Sequence, residues 1–271
     1  MSGVGRTAVW VAGLRAVEET RVDRLFDDRF AAAFVSAAGG EVAEAAALPF
    51  GTSEFLAIRT RFFDDQARAA CEAGIRQVVL LAAGLDCRAF RLDWPDGARL
   101  FELDLPEMFA FKEPVLASVS AVARCERVVV PVDLRGSWAD ALTSAGFDPG
   151  LATVWLAEGL LPYLDRADGD RLLATVTELS APGSRAVFDH IDTTATDRPA
   201  MQATSEAVRQ MGARLLPTMD NPLDWLVEHG WQAGLDRVPA LGEGYGRPLP
   251  AGVDLTASNA IVLITGCRHG E

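Results

Sequence analysis

Five runs of mainly apolar residues, separated by stretches with helical character, are the feature that most limits how this chain can fold. They are QVVLLAA (77–83), RLFELD (99–104), RVVVPVD (127–133), LATVWLAE (151–158) and RAVFDHI (185–191). Apolar runs without polar alternation are typical of strands that are buried on both faces, as they are in a parallel sheet. The runs therefore predict a mostly parallel sheet at the centre of the molecule.

The stretches between these runs predict the crossover helices of such a sheet. Helical character covers 106–118, 138–145 and 166–179. Pro106 suits the first turn of its helix, where no backbone N–H is needed, and Asp165 can cap the last helix. Strand, helix and strand in repeated order predict a doubly wound, Rossmann-like α/β domain.

The chain is predicted to form one domain of 271 residues in four consecutive parts. These are a helical N-terminal segment (1–76), the sheet core (77–191), a helical insertion (192–228) and C-terminal strands (229–271). In the N-terminal segment, apolar residues at helical spacing predict helices over Arg21–Phe34 and Glu54–Gly74.

The two C-terminal parts depart from the alternation of strands and helices that characterises the core. The insertion predicts two helices, which are either a cap over the ligand-binding edge of the sheet or an ordinary surface pair. Residues 231–238 and 258–265 predict strands that pair as an antiparallel hairpin through a glycine-rich loop.

Composition excludes several classes of function. Hydrophobic residues make up 49% of the chain, enough for a sizeable core, and the formal net charge of -13 opposes binding to nucleic acid. The four cysteines have no CxxC spacing, so no metal site is expected. The N-terminal residues lack a signal-peptide pattern, and no apolar run approaches the roughly 20 residues of a membrane helix. We therefore expect a cytoplasmic protein with reduced thiols, without nucleic-acid or membrane partners.

The ends of the first two strands predict the kind of ligand that the sheet binds. Ligands of doubly wound sheets lie at the carboxyl ends of the strands, where Gly84 of AAGLDCR allows close backbone approach. This stretch has one glycine instead of the G-x-G-x-x-G of a dinucleotide site, and Asp86 would repel a pyrophosphate. Glu102 and Asp104 follow at a distance typical of carboxylates that bind ribose hydroxyls. These features favour a nucleoside without phosphate groups.

The third and fourth strand ends extend this pattern. Asp133 and Leu134 offer a hydrogen-bond acceptor and an apolar face that suit adenine. Glu158 ends the fourth run and precedes a turn that leads to Tyr163. Acidic residues at four strand ends in series favour S-adenosylmethionine, whose sulfonium group is cationic.

Other charged residues near these runs have structural interpretations. Asp86 and Arg88 either contact the cofactor or pair with each other at a helix N-terminus and brace the loop. Asp64 and Asp65 are expected on a solvated face of their helix.

Five segments between residues 50 and 192 resemble a known family: RTRFFDDQ, VVLLAAGLDCRAFRLDW, FELDLPEMFAFK, PVDLR and WLAEGLLPYL. Together they resemble the leucine carboxyl methyltransferase-like family of S-adenosylmethionine-dependent methyltransferases. The resemblance implies a class I methyltransferase fold, in which a mostly parallel Rossmann-like sheet ends in an antiparallel hairpin. It also implies S-adenosyl-L-methionine as the cofactor.

The resemblance further implies roles for particular residues of this chain. Arg59 would hold the methionine carboxylate, although Arg61 lies only two residues away and is an alternative. The other implied cofactor contacts are Gly84 at the first turn, Asp104 on the ribose, Asp133 and Leu134 at the adenine, and Glu158 near the methionine amino group. Many members have glycine at the position of Ala82, and we expect the extra methyl group to shift the loop only slightly, without loss of cofactor binding.

The methyl acceptor is predicted to be an oxygen atom, and a carboxylate is favoured over a phenol or another hydroxyl. A carboxylate is ionised at neutral pH and needs no base, whereas a phenol with a pKa of about 10 does. Of the three histidines, only His190 falls near the expected site, where it is either a base or a satisfied strand-end residue. Tyr163 is the first candidate to orient the acceptor, unless it is a core aromatic residue. Arginines that could assist are Arg88, Arg198, Arg209 and Arg214.

These patterns predict an S-adenosylmethionine-dependent O-methyltransferase that acts on a small molecule or peptide, with its oligomeric state left open. The abundance of Ala, Arg and Gly and the scarcity of lysine resemble proteins of high-GC bacteria, which suggests secondary metabolism by association. Two alternatives come from other classes. They are an NAD-dependent oxidoreductase, disfavoured by the missing glycines, and a non-catalytic cofactor-binding protein.

Overall fold

Seven strands of the computed structural model join one sheet, and the structure describes residues 3–42, 52–191, 199–216, 221–250 and 261–270. The strands are β1 (Gln77–Leu81), β2 (Arg99–Asp104), β3 (Glu126–Pro131), β4 (Thr153–Ala157), β5 (Arg185–Ile191), β6 (Gln232–Arg237) and β7 (Ile261–Cys267). Their order across the sheet is β3-β2-β1-β4-β5-β7-β6. Neighbours among β1 to β5 run parallel, whereas β7 is antiparallel to both β5 and β6. The predicted sheet, mostly parallel with an antiparallel C-terminal end, is confirmed.

Helices connect the strands and cover the sheet. They are α1 (Gly3–Glu19), α2 (Ala31–Ala37), α3 (Thr52–Glu72), α4 (Arg88–Arg91), α5 (Pro106–Ser118), α6 (Ala139–Ser144), α7 (Arg166–Glu178), α8 (Pro199–Gln210), α9 (Pro222–Glu228) and α10 (Val238–Gly244), with a 3₁₀ turn at Leu161–Tyr163. Pro106 begins α5, and Asp165 caps α7 by accepting a hydrogen bond from the N–H of Asp168 at 2.8 Å, both as predicted. Within the described ranges, no helix has the length and apolar character needed to cross a bilayer.

The sheet separates two layers of buried side chains, because successive residues of a strand point to opposite faces. Val78 and Leu80 of β1 belong to the layer that packs against α2, α3 and α5. Val79 and Leu81 belong to the layer that packs against α7 and α9. Cover on both faces explains the continuous apolar runs, and it leaves the carboxyl edge as the place where a ligand can reach the backbone.

The N-terminal segment differs from its prediction between α1 and α2. Residues 21–34 have helical spacing, yet only the last part of this stretch is helical. The carboxylate of Glu18 accepts a hydrogen bond from the N–H of Leu25 at 2.7 Å. The carboxylate of Glu19 accepts one from the N–H of Asp28 at 2.6 Å. Because these side chains replace the backbone acceptors of a helix, the prediction of a helix from residue 21 is wrong.

The C-terminal strands confirm the predicted pairing but not the predicted connection. β6 and β7 are antiparallel neighbours, with Leu235 opposite Ile264. Helix α10 follows β6 directly where a loop was predicted, and Pro239 lies in its first turn, a position that favours helix initiation. Residues 251–260, which include the start of the last predicted strand, lie outside the described residues.

The insertion forms two helices in different environments. Helix α9 packs on the sheet, with the ring centroids of Trp225 and Phe188 5.8 Å apart and Trp225 Nε1 donating to Asp170 at 2.8 Å. Helix α8 lies at the carboxyl edge of the parallel strands and lines a cavity there. Helix α8 thus has the position of a cap and α9 that of an ordinary surface helix. The predicted helical residues 192–198 and 217–220 lie outside the described residues.

Candidate active site

A cavity of about 640 Å³ opens at the carboxyl edge of the parallel strands. Its floor consists of the ends of β1, β2 and β4 with the turns that follow them, and its walls include α1, α3 and α8. The six residues to which the family resemblance assigns a cofactor contact all line this cavity: Arg59, Gly84, Asp104, Asp133, Leu134 and Glu158. The topology brings these residues together because the carboxyl ends of parallel strands meet at one edge.

The turn after β1 contains two residues with left-handed backbone, Ala82 with φ 57° and Gly84 with φ 51°. Glycine adopts this conformation without steric cost, and the N–H of Gly84 donates to Asp104 Oδ2 at 2.6 Å. Alanine in the same region costs about 1–2 kcal/mol. The backbone at Ala82 is therefore strained, whereas glycine at this position would not be strained.

Asp104 is the residue of β2 that reaches this edge. It is 8% exposed, and its second oxygen accepts a hydrogen bond from the N–H of Leu105 at 2.6 Å. Burial raises the pKa of Asp104, while the N–H groups of Gly84 and Leu105 act in the opposite direction. Each carboxylate oxygen has two lone pairs, so both oxygens can accept a further hydrogen bond from a diol. The residue therefore fits the ribose-binding role that the resemblance implies.

Glu102, which was predicted beside Asp104, lies below the edge. It is fully buried, with Oε2 2.7 Å from Lys112 Nζ and Oε1 accepting from Arg127 Nε at 2.9 Å. Two residues of a strand span roughly 6.6 Å, so α5 covers position 102 while position 104 reaches the cavity. Glu102 is part of a structural ion-pair cluster, and its predicted ribose contact is wrong.

Asp133 and Leu134 follow β3 at the rim of the cavity. Asp133 is exposed and pairs with Arg135, with Arg135 Nη2 2.6 Å from Asp133 Oδ2. The hydrogen bond from Arg135 lowers the pKa of Asp133, which keeps this carboxylate ionised. Leu134 is half-buried and adds apolar surface. The pair combines an acceptor with an apolar face, the chemistry that suits an adenine amino group and ring.

Arg59 on α3 reaches the turn that follows β4. Its Nε donates to Glu158 Oε1 at 3.2 Å, and its Nη1 donates to Asp189 Oδ2 at 2.9 Å. Gly159 in this turn has φ 68°, and a Cβ atom there would lie 3.4 Å from Arg59 Nη1. Glycine therefore allows both the turn and the close approach of the guanidinium group.

The structure distinguishes between Arg59 and Arg61, the two candidates for binding the methionine carboxylate. Arg59 is 7% exposed and lines the cavity. Arg61 pairs with Asp65 at 2.9 Å and donates to the carbonyl of Leu25 at 3.2 Å, and Asp65 is half-exposed as expected. Positions two apart on a helix differ in direction by roughly 200°, so the two side chains face different surroundings. Arg59 is the one of the two that can contact a ligand in this cavity.

At the floor, Arg88 joins three carboxylates. It pairs with Asp64 Oδ1 at 2.7 Å, with Glu158 Oε2 at 2.7 Å, and with Asp86. Arg88 is 1% exposed and its pairing with Asp86 braces the loop, but both residues also line the cavity, so a cofactor contact by either one stays a prediction. Asp64 is 0% exposed and pairs with Arg91 at 2.6 Å as well, so the prediction of a solvated Asp64 is wrong.

Glu158 is held as an anion by this arrangement. Burial opposes its ionisation, but Arg88 and Arg59 together lower the pKa of Glu158 to about 2. The hydroxyl group of Thr60 also donates to Glu158 Oε1 at 3.3 Å. Glu158 is therefore negatively charged at neutral pH and can balance a cationic group of a ligand.

Tyr163 and His190, the two candidates for acceptor chemistry, have different positions. Tyr163 lines the cavity, and its hydroxyl group is hydrogen-bonded to Thr7 of α1. Burial raises the pKa of Tyr163, so the phenol stays protonated and can donate a hydrogen bond. His190 is 3% exposed on β5, and its neighbours Asp189 and Ile191 line the cavity in its place. The structure thus favours a buried strand-end role for His190.

Two of the arginines predicted from the insertion, Arg209 and Arg214, are not part of the cavity wall. Arg209 pairs with Glu206 at 2.7 Å on the exposed side of this helix, and Arg214 is exposed beyond its end. Arg198 lies outside the described residues. The wall contributed by α8 consists of Met201, Thr204 and Val208. Spacing of three and four residues places these side chains on one face of the helix.

Sequence reasoning missed Asp189 and the whole contribution of α1. Asp189 is 2% exposed, and besides pairing with Arg59 it accepts a hydrogen bond from the N–H of Gly159. Its position at the end of β5 is the same signal that identified the other strand-end acids. Helix α1 gave no such signal, although Arg15 Nη2 donates to the carbonyl of Leu85 at 2.6 Å and fixes the helix against the loop after β1.

The sheet order, the glycine turn after β1 and the acidic strand ends define the fold of a class I methyltransferase. The profile of the family described as leucine carboxyl methyltransferase matches residues 8–177. A provisionally named S-adenosyl-L-methionine-dependent methyltransferase from Frankia alni is 50% identical over 258 residues, covering 92% of this chain and 91% of that protein. Another, from Saccharopolyspora erythraea, is 46% identical over 262 residues, covering 92% and 90%. This chain belongs to the leucine carboxyl methyltransferase family.

Solved structures share the fold at low sequence identity. A provisionally named methyltransferase from Thermobifida fusca has a TM-score of 0.59 and 20% identity, and the match covers 88% of this chain and 94% of that one. A DUF574 family protein from Streptomyces avermitilis has a TM-score of 0.64 and 13% identity, with 92% and 100% covered. At these identities the likeness shows the fold alone.

Proposed function

We propose that this chain transfers a methyl group from S-adenosyl-L-methionine to a carboxylate oxygen of a small molecule or peptide. When bound, the cofactor supplies an electrophilic methyl group on a sulfonium. The carboxylate oxygen forms the new C–O bond as the C–S bond breaks, the electron pair of the broken bond goes to sulfur, and no proton moves. The protein contributes mainly by holding the two reactants in line.

The observation that carries this proposal is the convergence of complementary side chains on one cavity. Asp104 retains lone pairs for the ribose hydroxyls, and Asp133 with Leu134 suits the adenine. Glu158 is ionised and suits the methionine ammonium group. Arg59 has five N–H donors, of which its two carboxylate partners engage two, so it can also bind the methionine carboxylate.

The choice of a carboxylate acceptor is supported by the state of the ionisable groups around it. Tyr163 stays protonated and can donate a hydrogen bond to an anionic oxygen. Arg88 and Arg59 lower the pKa of Glu158 to about 2, which makes Glu158 a weak base for a hydroxyl acceptor. A carboxylate needs no base, so it suits these residues better than the phenolic alternative does. A setting in bacterial secondary metabolism is part of the proposal and is supported only by composition.

The experiment that tests this proposal measures the chemical stability of the methylated product. The protein is incubated with methyl-labelled cofactor and with matched panels of carboxylic acids and phenols, and the products are treated with mild alkali. Methyl esters release labelled methanol, whereas methyl ethers are stable, so the proposal predicts alkali-labile label. Label that survives alkali would contradict a carboxylate acceptor.

The role of Tyr163 is tested with the other tyrosine of the chain as a control. Tyr163→Phe removes one hydrogen bond to a charged group, so we expect kcat to fall about 10- to 100-fold while cofactor affinity stays within about twofold. Tyr245→Phe is the matched control, because Tyr245 does not line the cavity and its ring centroid lies 5.2 Å from the guanidinium carbon of Arg61. Equal turnover in both variants would remove Tyr163 from the reaction.

A further inference from the structure

One wall of the cavity is apolar, in contrast to its charged floor. It is built by α1, the start of α3, α8 and the paired ends of β5 and β7, and its side chains include Val11, Phe55, Ile191, Met201, Val208, Leu215 and Ile261. Met201 and Val208 are 8% and 1% exposed although α8 is otherwise rich in polar residues. This helix therefore turns its apolar side chains toward the cavity.

Ion pairs at the strand edge hold several charges of the cavity, and Arg15, the charged lining residue that α1 adds, is paired with Asp28 at 3.1 Å. Arg59, Glu158 and Asp189 form closed ion pairs at the strand edge. The polar groups that border the apolar wall include the neutral hydroxyls of Thr7 and Tyr163, which are hydrogen-bonded to each other. An occupant that matches this distribution has one polar end near the hydroxyls and an apolar body along α1 and α8.

We propose that the acceptor is an apolar monocarboxylic acid, with its carboxylate at Tyr163 and Thr7 and its hydrocarbon or aromatic body against α1 and α8. This inference rests on the proposed carboxylate methylation and adds the class of molecule that carries the carboxylate. Each methylene group buried against such a wall strengthens binding about fourfold. Affinity for the acceptor then comes mainly from its non-reacting part, which is available to align the carboxylate.

A peptide or a polyvalent acid suits this wall less well. Backbone N–H and C=O groups of a peptide placed beside Val208 and Met201 would meet apolar side chains, with Thr204 as the polar group that α8 adds to the wall. A second carboxylate placed beside Val208 and Met201 would lose its hydration among apolar side chains. The wall therefore selects against both classes.

The test compares straight-chain monocarboxylic acids of four to ten carbons with dicarboxylic acids of the same lengths, using the full chain. Along the first series kcat/KM is expected to rise about fourfold per added methylene until the wall is filled. The dicarboxylic acids are expected to remain at least about tenfold poorer at each length. Calorimetric titration of octanoate into the protein with bound S-adenosylhomocysteine gives a second readout that is independent of turnover.

Two matched valine substitutions test whether the apolar body of the acceptor contacts α8. Val208→Thr places a hydroxyl group among the apolar side chains and is expected to weaken octanoate binding about fivefold, with S-adenosylhomocysteine affinity unchanged. Val227→Thr is the control, because Val227 is 59% exposed on α9. We expect this variant to bind octanoate as the unmodified protein does.

The possible failures are distinguishable. Equal or better turnover of dicarboxylic acids, no gain with chain length, or no turnover of any apolar acid by protein that binds the cofactor would overturn this inference. Equal octanoate affinity in the two valine variants would overturn the placement of the acceptor body on α8. A methylated product that is stable to alkali would instead overturn the proposed carboxylate chemistry on which the inference rests.

Discussion

Two clusters of charged residues, each centred on buried side chains, have similar chemistry but different surroundings. The site cluster consists of Arg59, Asp64, Asp86, Arg88, Arg91, Glu158 and Asp189. The remote cluster consists of Glu102, Lys112, Glu113 and Arg127, of which Glu113 is half-exposed. Members of the site cluster line the cavity, whereas the remote cluster lies between α5, β2 and β3, away from the cavity.

The difference between the clusters lies in their charge balance. The remote cluster pairs two carboxylates with two cations and is neutral. The site cluster sets three arginines against four carboxylates, which leaves one negative charge in excess. S-adenosylmethionine has one net positive charge at neutral pH, since its sulfonium and ammonium groups outnumber its carboxylate. A buried charge alone therefore does not identify a site, but an unbalanced set beside a cavity indicates the charge of its ligand.

The largest expected effect is a loss of stability in Lys112→Met, a substitution in the remote cluster. Lys112, the only lysine in the chain, is 0% exposed, and its removal leaves Glu102 with one cation instead of two. We expect the free energy of unfolding to fall by about 3 kcal/mol, measured by urea denaturation. Cofactor affinity of the folded variant should stay within about twofold of the unmodified protein. A large loss of affinity would break the division into a remote cluster and a site cluster.

The next effect concerns the acid stability of the site cluster. Arg88 and Arg59 lower the pKa of Glu158 to about 2 from an ordinary value of about 4.3, so the folded protein binds fewer protons than the unfolded chain between these values. This stabilisation is present above about pH 4.3 and is lost as the pH falls toward 2, a change of about 2–3 kcal/mol. Glu158→Gln should therefore flatten the decline of unfolding free energy with acid. Glu206→Gln, at an exposed position, is the control. An equal acid-induced decline of the unfolding free energy in both variants would contradict the assignment of this decline to Glu158.

A smaller effect on stability, but a specific one on binding, is expected for Asp189→Asn. The amide oxygen can still accept the hydrogen bond from Gly159, while the charged partner of Arg59 is lost. We expect the Kd for S-adenosylmethionine to rise about tenfold because Arg59 is held less firmly, with a smaller fall in kcat. Titration calorimetry measures this effect, with Asp93→Asn as a control on an exposed pair. If Asp189→Asn and Lys112→Met bind S-adenosylmethionine with the same affinity, Asp189 does not position Arg59 for cofactor binding.

The smallest effect is expected for Ala82→Gly at the floor of the cavity. Ala82 has φ 57°, and glycine removes the steric cost of this conformation while giving the unfolded chain more freedom. The net gain in unfolding free energy should be about 0.5–1 kcal/mol, read from the urea midpoint. Ala121→Gly, at a half-buried position after α5, is the control and should destabilise or have no effect. A loss of stability in Ala82→Gly would contradict the presence of strain in this turn.

The sheet and the floor of the site could be predicted because parallel strands place their carboxyl ends together. Asp104, Asp133 and Glu158 were found from strand ends alone, and the family resemblance added Arg59. Asp189 could have been found by the same rule. The rule failed at Glu102, where a shift of two residues along a strand separates an edge position from a covered one.

Features that depend on packing between distant segments could not be predicted. Asp64 resembles its neighbour Asp65 in sequence, but only Asp64 pairs with Arg88 and Arg91 of α4. The apolar wall depends on how α1 and α8 rest on the sheet edge, and the sequence of α1 does not indicate that Thr7 meets Tyr163. Local patterns specify strands and their ends, whereas tertiary contacts decide which helix face closes the cavity.

The measurement that tests the central claim most directly is calorimetric titration of S-adenosylmethionine into the protein and into Asp104→Ala. Asp104 anchors the turn of Gly84 and is proposed to bind the ribose, so its loss should weaken binding by at least about 100-fold. The control is Asp93→Ala, because the side chain of Asp93 is 97% exposed. We expect micromolar binding by the unmodified protein and by Asp93→Ala, and no measurable binding by Asp104→Ala. Equal affinity in all three proteins, or binding of NAD in place of S-adenosylmethionine, would contradict it.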